Sequence, residues 1–404
     1  MRILRNARVA PEPGGTGEWR TVDLLLAGGR IQAMERGLRV SGCPAEETDL
    51  EGRVTAPGLV DGHVHFTGAT WDEGYTSKTP EIFLSHFLRA GITTAVGLLG
   101  MGYGCEDLKA LAYKVLALRD EGLGAYMHTG NFRFPAPSIL GSPGEDVVFL
   151  PYVLGCKVAL TDRFSSHPSL EEFCRLSSEV YVAGLQSGKP GLMHLHVAEY
   201  GDPFAFLEEA HRRSGVPLDR SLPTHCNTNA DLLEQARGYA LRGGNVDLST
   251  ILEPDRGCLV SVKASKAVEQ LVAGGVAPER ITLSSDGNVG LPRRDAKGTY
   301  LGLYLERTDS LLENLQALLR GGFPPETAFA LTGANPAKRL GLYPRKGALR
   351  AGADADLAVF GENWELERVY LAGEPALEEG RPCRFSYFER DLRDDGKGEG
   401  SCSR

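Results

Sequence analysis

Eight short runs of apolar, mostly β-branched residues recur along the middle of the chain, at 58–65, 93–99, 125–130, 153–160, 191–197, 222–227, 246–252 and 281–286. Amphipathic helical patterns lie between several of them, at 80–90, 108–121, 170–183, 230–242 and 265–273. Continuous apolar strands alternating with such helices mark a parallel sheet buried on both faces. Eight repeats over roughly 285 residues match what a TIM-type (β/α)8 barrel requires. A doubly wound sheet stays open from the rhythm alone, because a count of strands does not show closure. The 50 glycines fit the many tight turns of such a repeat, where a backbone takes positive φ or approaches a neighbour closely.

The two ends of the chain read differently. Short strand-like stretches at 1–9, 22–26 and 30–34 are broken by PEPGGTG and by Gly28-Gly29. The segment Ala27-Gly28-Gly29-Arg30 precedes a strand, not a helix, so it is a hairpin turn and no phosphate loop. The tail echoes the pattern at 355–360 and 369–372, and its last dozen residues are polar and expected to fray. The expected fold class is therefore α/β: a (β/α)8 barrel over 57–342, with a small β-sandwich-like domain assembled from 1–56 and 343–404.

Charge and cysteine usage restrict the partners. Lys plus Arg number 44 and Asp plus Glu 53, for a formal charge of −9. No basic stripe of the kind a nucleic-acid surface needs is present. The eight cysteines are scattered without a CxxC, which suits a reducing compartment better than a disulfide framework or zinc knuckle. The start MRILRNARVAPEPG lacks a signal-peptide core, and no apolar run approaches the ~20 residues that span a bilayer. The expectation is a cytoplasmic protein with a small-molecule substrate, no nucleic-acid partner and no membrane partner. The charged run at 389–395 reads as solvated surface.

The chemistry lies at the strand ends. The first run closes on Asp61-Gly62-His63-Val64-His65; residues i and i+2 of a strand share a face, so both imidazoles point one way. His-x-His occurs by chance, but at the C-terminal end of a first barrel strand it stands where barrel enzymes keep their active sites. Lys157 is embedded in the apolar run VLGCKVAL, where an ammonium is costly unless it snorkels, is neutral or is modified. The fifth run supplies His194 and His196, the sixth His225, and the eighth Asp286 within LSSDGN. With nine histidines in the chain, chance explains poorly why His63, His65, His196 and His225 fall at three strand ends. His194 shares a face with His196 and reads as a pocket group or a support for a ligand. His86, His128, His167 and His211 have no spacing argument, and Cys156 and Cys226 read as core packing.

Taken with Pro57-Gly58-Leu59-Val60 before the His-x-His pair, these residues resemble the amidohydrolase superfamily. Lys78-Thr79-Pro80-Glu81, Gly97-Leu98-Leu99-Gly100, Leu222-Pro223-Thr224-His225 and Thr282-Leu283-Ser284-Ser285-Asp286-Gly287-Asn288 resemble its bacterial isoaspartyl dipeptidases. The resemblance implies two zinc ions, with other divalent metals as alternatives: one held by His63, His65 and Asp286, one by His196 and His225. It implies that Lys157 is N-carboxylated by carbon dioxide and bridges both ions. It also implies that a metal-acidified water attacks the amide, with Asp286 as catalytic proton carrier, and that the protein is a homo-oligomer.

Substrate positions depart from that family. Phe132 stands where it has a tyrosine; Phe164 and Thr228 stand where it has arginines. Met101 and Gly290 replace a threonine and a serine. Asp72, next to Glu73, aligns with the acid that binds the substrate amine. Phenylalanine and threonine cannot hold a carboxylate bidentately as arginine does; Arg133 and Arg163 are the candidates to compensate. The expected substrate is a dipeptide or related amide, such as an acylated amino acid. Two other readings compete: a cyclic-amide hydrolase of the dihydroorotase or hydantoinase kind, and a non-catalytic paralogue used in assembly.

Overall fold

β-Strands from both ends of the chain meet in one sheet. The structure, a computed structural model, describes residues 1–11, 18–42, 44–198, 200–295 and 297–389. The polar tail, most of the charged run at 389–395 and the PEPGGTG turn beyond its first residue lie outside the described residues. The N-terminal strands are β1 (Arg2–Val9), β2 (Arg20–Ala27), β3 (Arg30–Glu35), β4 (Glu46–Asp49) and β5 (Val54–Pro57). β2 and β3 pair across the turn at Gly28 and Gly29, whose φ angles of 59° and 73° are the pair a tight hairpin needs.

Eight further strands follow: β6 (Leu59–Val64), β7 (Ile92–Gly97), β8 (Gly124–Gly130), β9 (Val153–Thr161), β10 (Leu192–Val197), β11 (Ser221–Thr224), β12 (Val246–Ser249) and β13 (Ile281–Ser284). Between them run the helices α1 (Leu84–Arg89), α2 (Leu108–Asp120), α3 (Pro143–Phe149), α4 (Leu170–Ser187), α5 (Pro203–Ser214), α6 (Ala230–Leu241) and α7 (Ala264–Ala273). β6 to β11 form one parallel sheet in chain order, and β12 pairs with β13. Two seams join these sheets into a ring. Cys226 N donates to Asp247 O at 3.2 Å, and His65 N donates to Gly287 O at 3.0 Å. The rhythm of the sequence thus ends in closure, and the doubly wound alternative falls.

A hairpin, β14 (Gly290–Arg294) and β15 (Tyr300–Leu305), follows the eighth barrel strand. After it come α8 (Asp309–Arg320), α9 (Pro325–Thr332) and α10 (Ala334–Arg339), then β16 (Leu357–Phe360), β17 (Leu366–Leu371), β18 (Glu374–Glu378) and β19 (Arg381–Pro382). β16 pairs antiparallel with β5, so hydrogen bonding links nine strands from the two ends into one continuous sheet. Leu4, Leu24, Ile31, Leu357 and Tyr370 form its own apolar cluster. Ala337 and Leu340 pack on Val60, Val96, Leu154, Leu192 and Leu222, and all of these five but Val96 stand at the first or second position of their strands. The opposite end is left for chemistry.

Among the boundaries that differ from the sequence expectation, three bear on the site. The first helix starts at Leu84, not near 80, because Thr79 and Ile82 donate their N–H groups to Ala69 O and Phe66 O. The sixth and eighth strands stop at Thr224 and Ser284, so His225 and Asp286 lie just beyond them. No helix among the described residues is long and apolar enough to cross a membrane.

Candidate active site

The strand ends deliver their polar side chains to one place. His63 and His65, two residues apart, both present Nε2 to Asp286 Oδ1 at 3.1 Å. Asp61 Oδ1 accepts from the His63 and Ser285 amides, tying the first strand to the turn before Asp286. Asp286 and His225 have φ of 53° and 67°, a left-handed conformation that costs energy and that Asp and His tolerate better than most residues. The turn each makes re-aims its side chain inward. His225 Nδ1 lies 3.9 Å from Asp286 Oδ2 and 2.5 Å from Ser249 Oγ.

Lys157 is fully buried on β9. Its Nζ lies 3.5 Å from His63 Nε2 and 5.4 Å from the centre of the Phe132 ring. The strand passes close to its neighbour because Gly130 has no side chain: a Cβ there would stand 2.3 Å from Lys157 O. His194 lies beside Lys157 across the β9–β10 ladder, and its Nε2 is 2.9 Å from His63 Nδ1. His196, two residues on, holds Asp162 Oδ2 at 2.6 Å through Nε2.

Electrostatics follow from burial. Desolvation pulls the Lys157 ammonium down to about 7 and the His63 imidazole down to about 3. It also lowers His225 and His194 well below the usual histidine range, and His196 below it. Burial alone would raise Asp286, but His63, His65 and His225 hold its carboxyl well below the ordinary range. The centre therefore offers neutral imidazole lone pairs, an ionised carboxylate and an amine that can lose its proton. This is the donor chemistry of a divalent cation site.

Geometry agrees with that fit. Ligand atoms of His63, His225 and Asp286 lie within 4.8 Å of one another. With Nε2 of His196 committed to Asp162, the remaining Nδ1 is buried without a hydrogen-bond partner. Metal-binding histidines commonly have their second nitrogen tied to a carboxylate in this way. Ser249 holds Nδ1 of His225 and leaves its Nε2 available.

A cavity of about 590 Å³ opens over these groups. Phe132, Arg163 and Thr228 line it, as do Met101, Trp71, Phe164, Tyr200 and Arg294. Thr228 Oγ1 donates to the His225 carbonyl at 2.7 Å. Arg163 pairs with Asp72 at 2.6 Å, which links Asp72 to the cavity wall. Glu73 instead accepts from the Tyr300 hydroxyl on the hairpin. Arg133 stacks on the Tyr103 ring at 4.4 Å, and neither it nor Glu73 is part of the lining. Sequence reading missed Asp162, although a carboxylate closing the apolar run of β9 was a usable signal. His194 touches His63. His128 lies fully buried against His194, stacked at 5.2 Å.

Comparison with known proteins identifies the family and the fold. A model of the amidohydrolase family matches residues 159–376. The chain is 29% identical to the solved β-aspartyl dipeptidase of Fervidobacterium islandicum AW-1, in complex with a β-Asp-Leu dipeptide. That match covers 94% of this chain and 98% of that one, with a TM-score of 0.83. A D-hydantoinase from a Thermus species shares the fold at 14% identity and a TM-score of 0.68, over 96% and 97% of the two chains. Among curated sequences, an adenine deaminase of Serratia proteamaculans is 23% identical over 91% of this chain and 55% of its own length. An allantoinase of Desulfitobacterium hafniense is 27% identical over 53% of this chain and 44% of its own. The chain spans about half the length of these two curated relatives.

Proposed function

Because the chain belongs to the amidohydrolase family, we propose that it is a metal-dependent hydrolase of a carbon–nitrogen amide bond, built on the plan of an isoaspartyl dipeptidase. The observation that carries this reading is the convergence of His63, His65, His196, His225, Lys157 and Asp286 beneath one cavity. His63, His65 and Asp286 would hold one divalent ion, zinc in the reading we favour, and His196 with His225 the other. When bound, such a pair supplies an acidified water and a Lewis acid for the scissile carbonyl.

The protein's own groups do the rest. Lys157, with its pKa pulled to about 7 by burial, offers a free amine near neutrality. That amine attacks carbon dioxide, forms an N–C bond and releases one proton, leaving an anionic carbamate. Lys157 would then add an anionic oxygen donor to those of the histidines and Asp286, the residues that would hold the ions. Asp286 lines the cavity, and neither His63 nor His65 engages its Oδ2. That oxygen is placed to take a proton from attacking water and pass it to the leaving nitrogen. Trp71, Phe132 and Phe164 provide apolar wall, with Phe132 4.6 Å from the His196 ring. Arg163 and Arg294 are the guanidinium groups on that wall. We take the substrate to be a dipeptide or related small amide, recognised differently from an isoaspartyl dipeptide because Thr228 and Phe164 offer no carboxylate clamp. Likeness to hydantoinases rests on fold alone at 14% identity. The same family reading makes a homo-oligomer the expected state.

The test is metal analysis joined to a substrate panel of isoaspartyl dipeptides, N-acyl amino acids and cyclic ureides. Protein prepared with zinc and bicarbonate should hold close to two ions per chain and hydrolyse an open-chain amide. Asp286→Asn should fall in turnover by about 10³-fold, in the range of lost acid–base catalysis, while keeping metal. Lys157→Ala should lose both, with part restored by short carboxylic acids. Less than one tightly bound ion and no hydrolysis would overturn the reading.

A further inference from the structure

We propose that His194 is a positioning residue for the cation held by His63, and that His128 is the plate that keeps the His194 ring in place. The inference rests on the metal reading above and extends it to two histidines outside the ligand set. His128, His194 and His63 form a column inside the barrel, each at most 1% exposed. His194 Nε2 lies 2.9 Å from His63 Nδ1, and the His194 ring stacks on His128 at 5.2 Å with 16° between planes. His194 Nδ1 has no hydrogen-bond partner among the described residues, and the His128 ring lies against the Gly155 backbone.

The proton count fixes the direction of the central bond. A neutral imidazole carries one N–H. His63 Nε2 faces Asp286 at 3.1 Å and Lys157 at 3.5 Å, so it is the nitrogen aimed at the metal position. To coordinate, it must keep its lone pair, and the proton of His63 must sit on Nδ1. The acceptor there is His194 Nε2, which places the proton of His194 on its own Nδ1. The reverse arrangement, with His194 donating, would put an N–H on the coordinating nitrogen and block the cation. His194 therefore selects the ligating tautomer of His63 and aims its ring.

This partner differs in kind from the others in the site. His196 leans on a carboxylate at 2.6 Å and His225 on a hydroxyl at 2.5 Å. His63 leans on a neutral ring, which in turn has a ring face behind it and no further hydrogen bond. Beyond its bond to His63, His194 has no hydrogen bond among the described residues, so its register depends on the flat contact with His128.

The experiment follows release of zinc from the holoenzyme to a colorimetric chelator, with cobalt-substituted absorption spectra as a second readout. Two release phases are expected from the parent. In His194→Phe one phase should quicken about 10- to 100-fold, the usual penalty for losing an outer partner of a metal histidine, and the other should not change. His194→Gln, whose amide oxygen can accept from His63, should recover part of that loss. His128→Phe keeps the stack without nitrogens and should stay within about threefold of the parent, whereas His128→Ala should release one ion faster. Unchanged release from His194→Phe overturns the proposal; His128→Phe as damaging as His194→Phe overturns the stacking role. If His194→Phe does not fold, His194→Gln and His194→Met repeat the comparison, and equal release from these two also overturns it. A parent protein that binds no zinc tightly removes the metal reading itself, a distinguishable failure.

Discussion

Asp247 shows what a barrel interior does to a single carboxylate. Its Oδ1 accepts from Thr282 at 2.6 Å, and its Oδ2 accepts from Thr224 at 2.7 Å and Ser284 at 2.5 Å, so it clasps β11, β12 and β13. Burial outweighs those bonds and pushes its pKa from 3.8 up to about 6. The folded state thus binds a proton more tightly than the unfolded one. That contribution to stability is fully present below the unfolded pKa of 3.8 and is lost as pH rises through 6, by about 3 kcal/mol in all. Asp247→Asn cannot titrate. Its stability relative to the parent should therefore improve by about 3 kcal/mol between pH 3.5 and pH 7, on top of a constant offset for the new amide. Urea denaturation of both proteins at several pH values measures the difference, and a flat difference would contradict it. Lys157 was legible from sequence because an ammonium inside an apolar strand conflicts with its surroundings. Asp247 lies in the run VDLSTIL at 246–252, where Ser249 and Thr250 make the surroundings more polar, and it went unread because no motif drew attention to it.

At the level of elements, strands were easier to read than the turns that end them. β9 is buried along nearly its whole length, and continuous burial shows as a continuous apolar run. Where it pairs with β10, the backbones approach so closely that a Cβ on Gly155 would lie 2.0 Å from Leu192 O. A backbone oxygen cannot rotate away as a side chain can, so Gly155→Ala should spread the β9–β10 ladder that carries Lys157, His194 and His196. We expect a loss of about 3 kcal/mol or more, at the upper end for overpacking, read as a fall in the urea midpoint. An unchanged midpoint would show that the ladder can yield. The hairpin of β14 and β15 was missed for the opposite reason: β15 buries no residue fully, so its sequence has no apolar alternation. It is fastened by Arg293 to Glu306 at 2.9 Å and by the Tyr300–Glu73 bond.

The whole molecule depends on joining segments far apart in sequence. β5 pairs with β16, roughly 300 residues away, and the site gathers groups from β6, β9, β10 and the turns after β11 and β13. Apolar packing holds the scaffold, whereas the cations would hold the site. Removing metal with a chelator should therefore leave the far-ultraviolet circular dichroism unchanged and lower Tm by about 5 °C, relative to protein with free zinc a thousandfold above Kd. A Tm independent of zinc would mean that the donors bind no ion in the folded state.

By itself the sequence determined the rhythm of the barrel, the face shared by His63 and His65, and the oddity of Lys157. Each of these follows from local periodicity and from the desolvation cost of one residue type. Only the tertiary structure decided that Asp162 supports His196, that Ser249 supports His225 and that His194 and His128 stand behind His63. It also decided that Arg163 is paired with Asp72 while Arg133 stacks outside the cavity. Those pairings depend on distances between strands and on the turns at His225 and Asp286, where a left-handed backbone redirects the side chain. Such distances are set by packing of the closed ring and have no period along the chain.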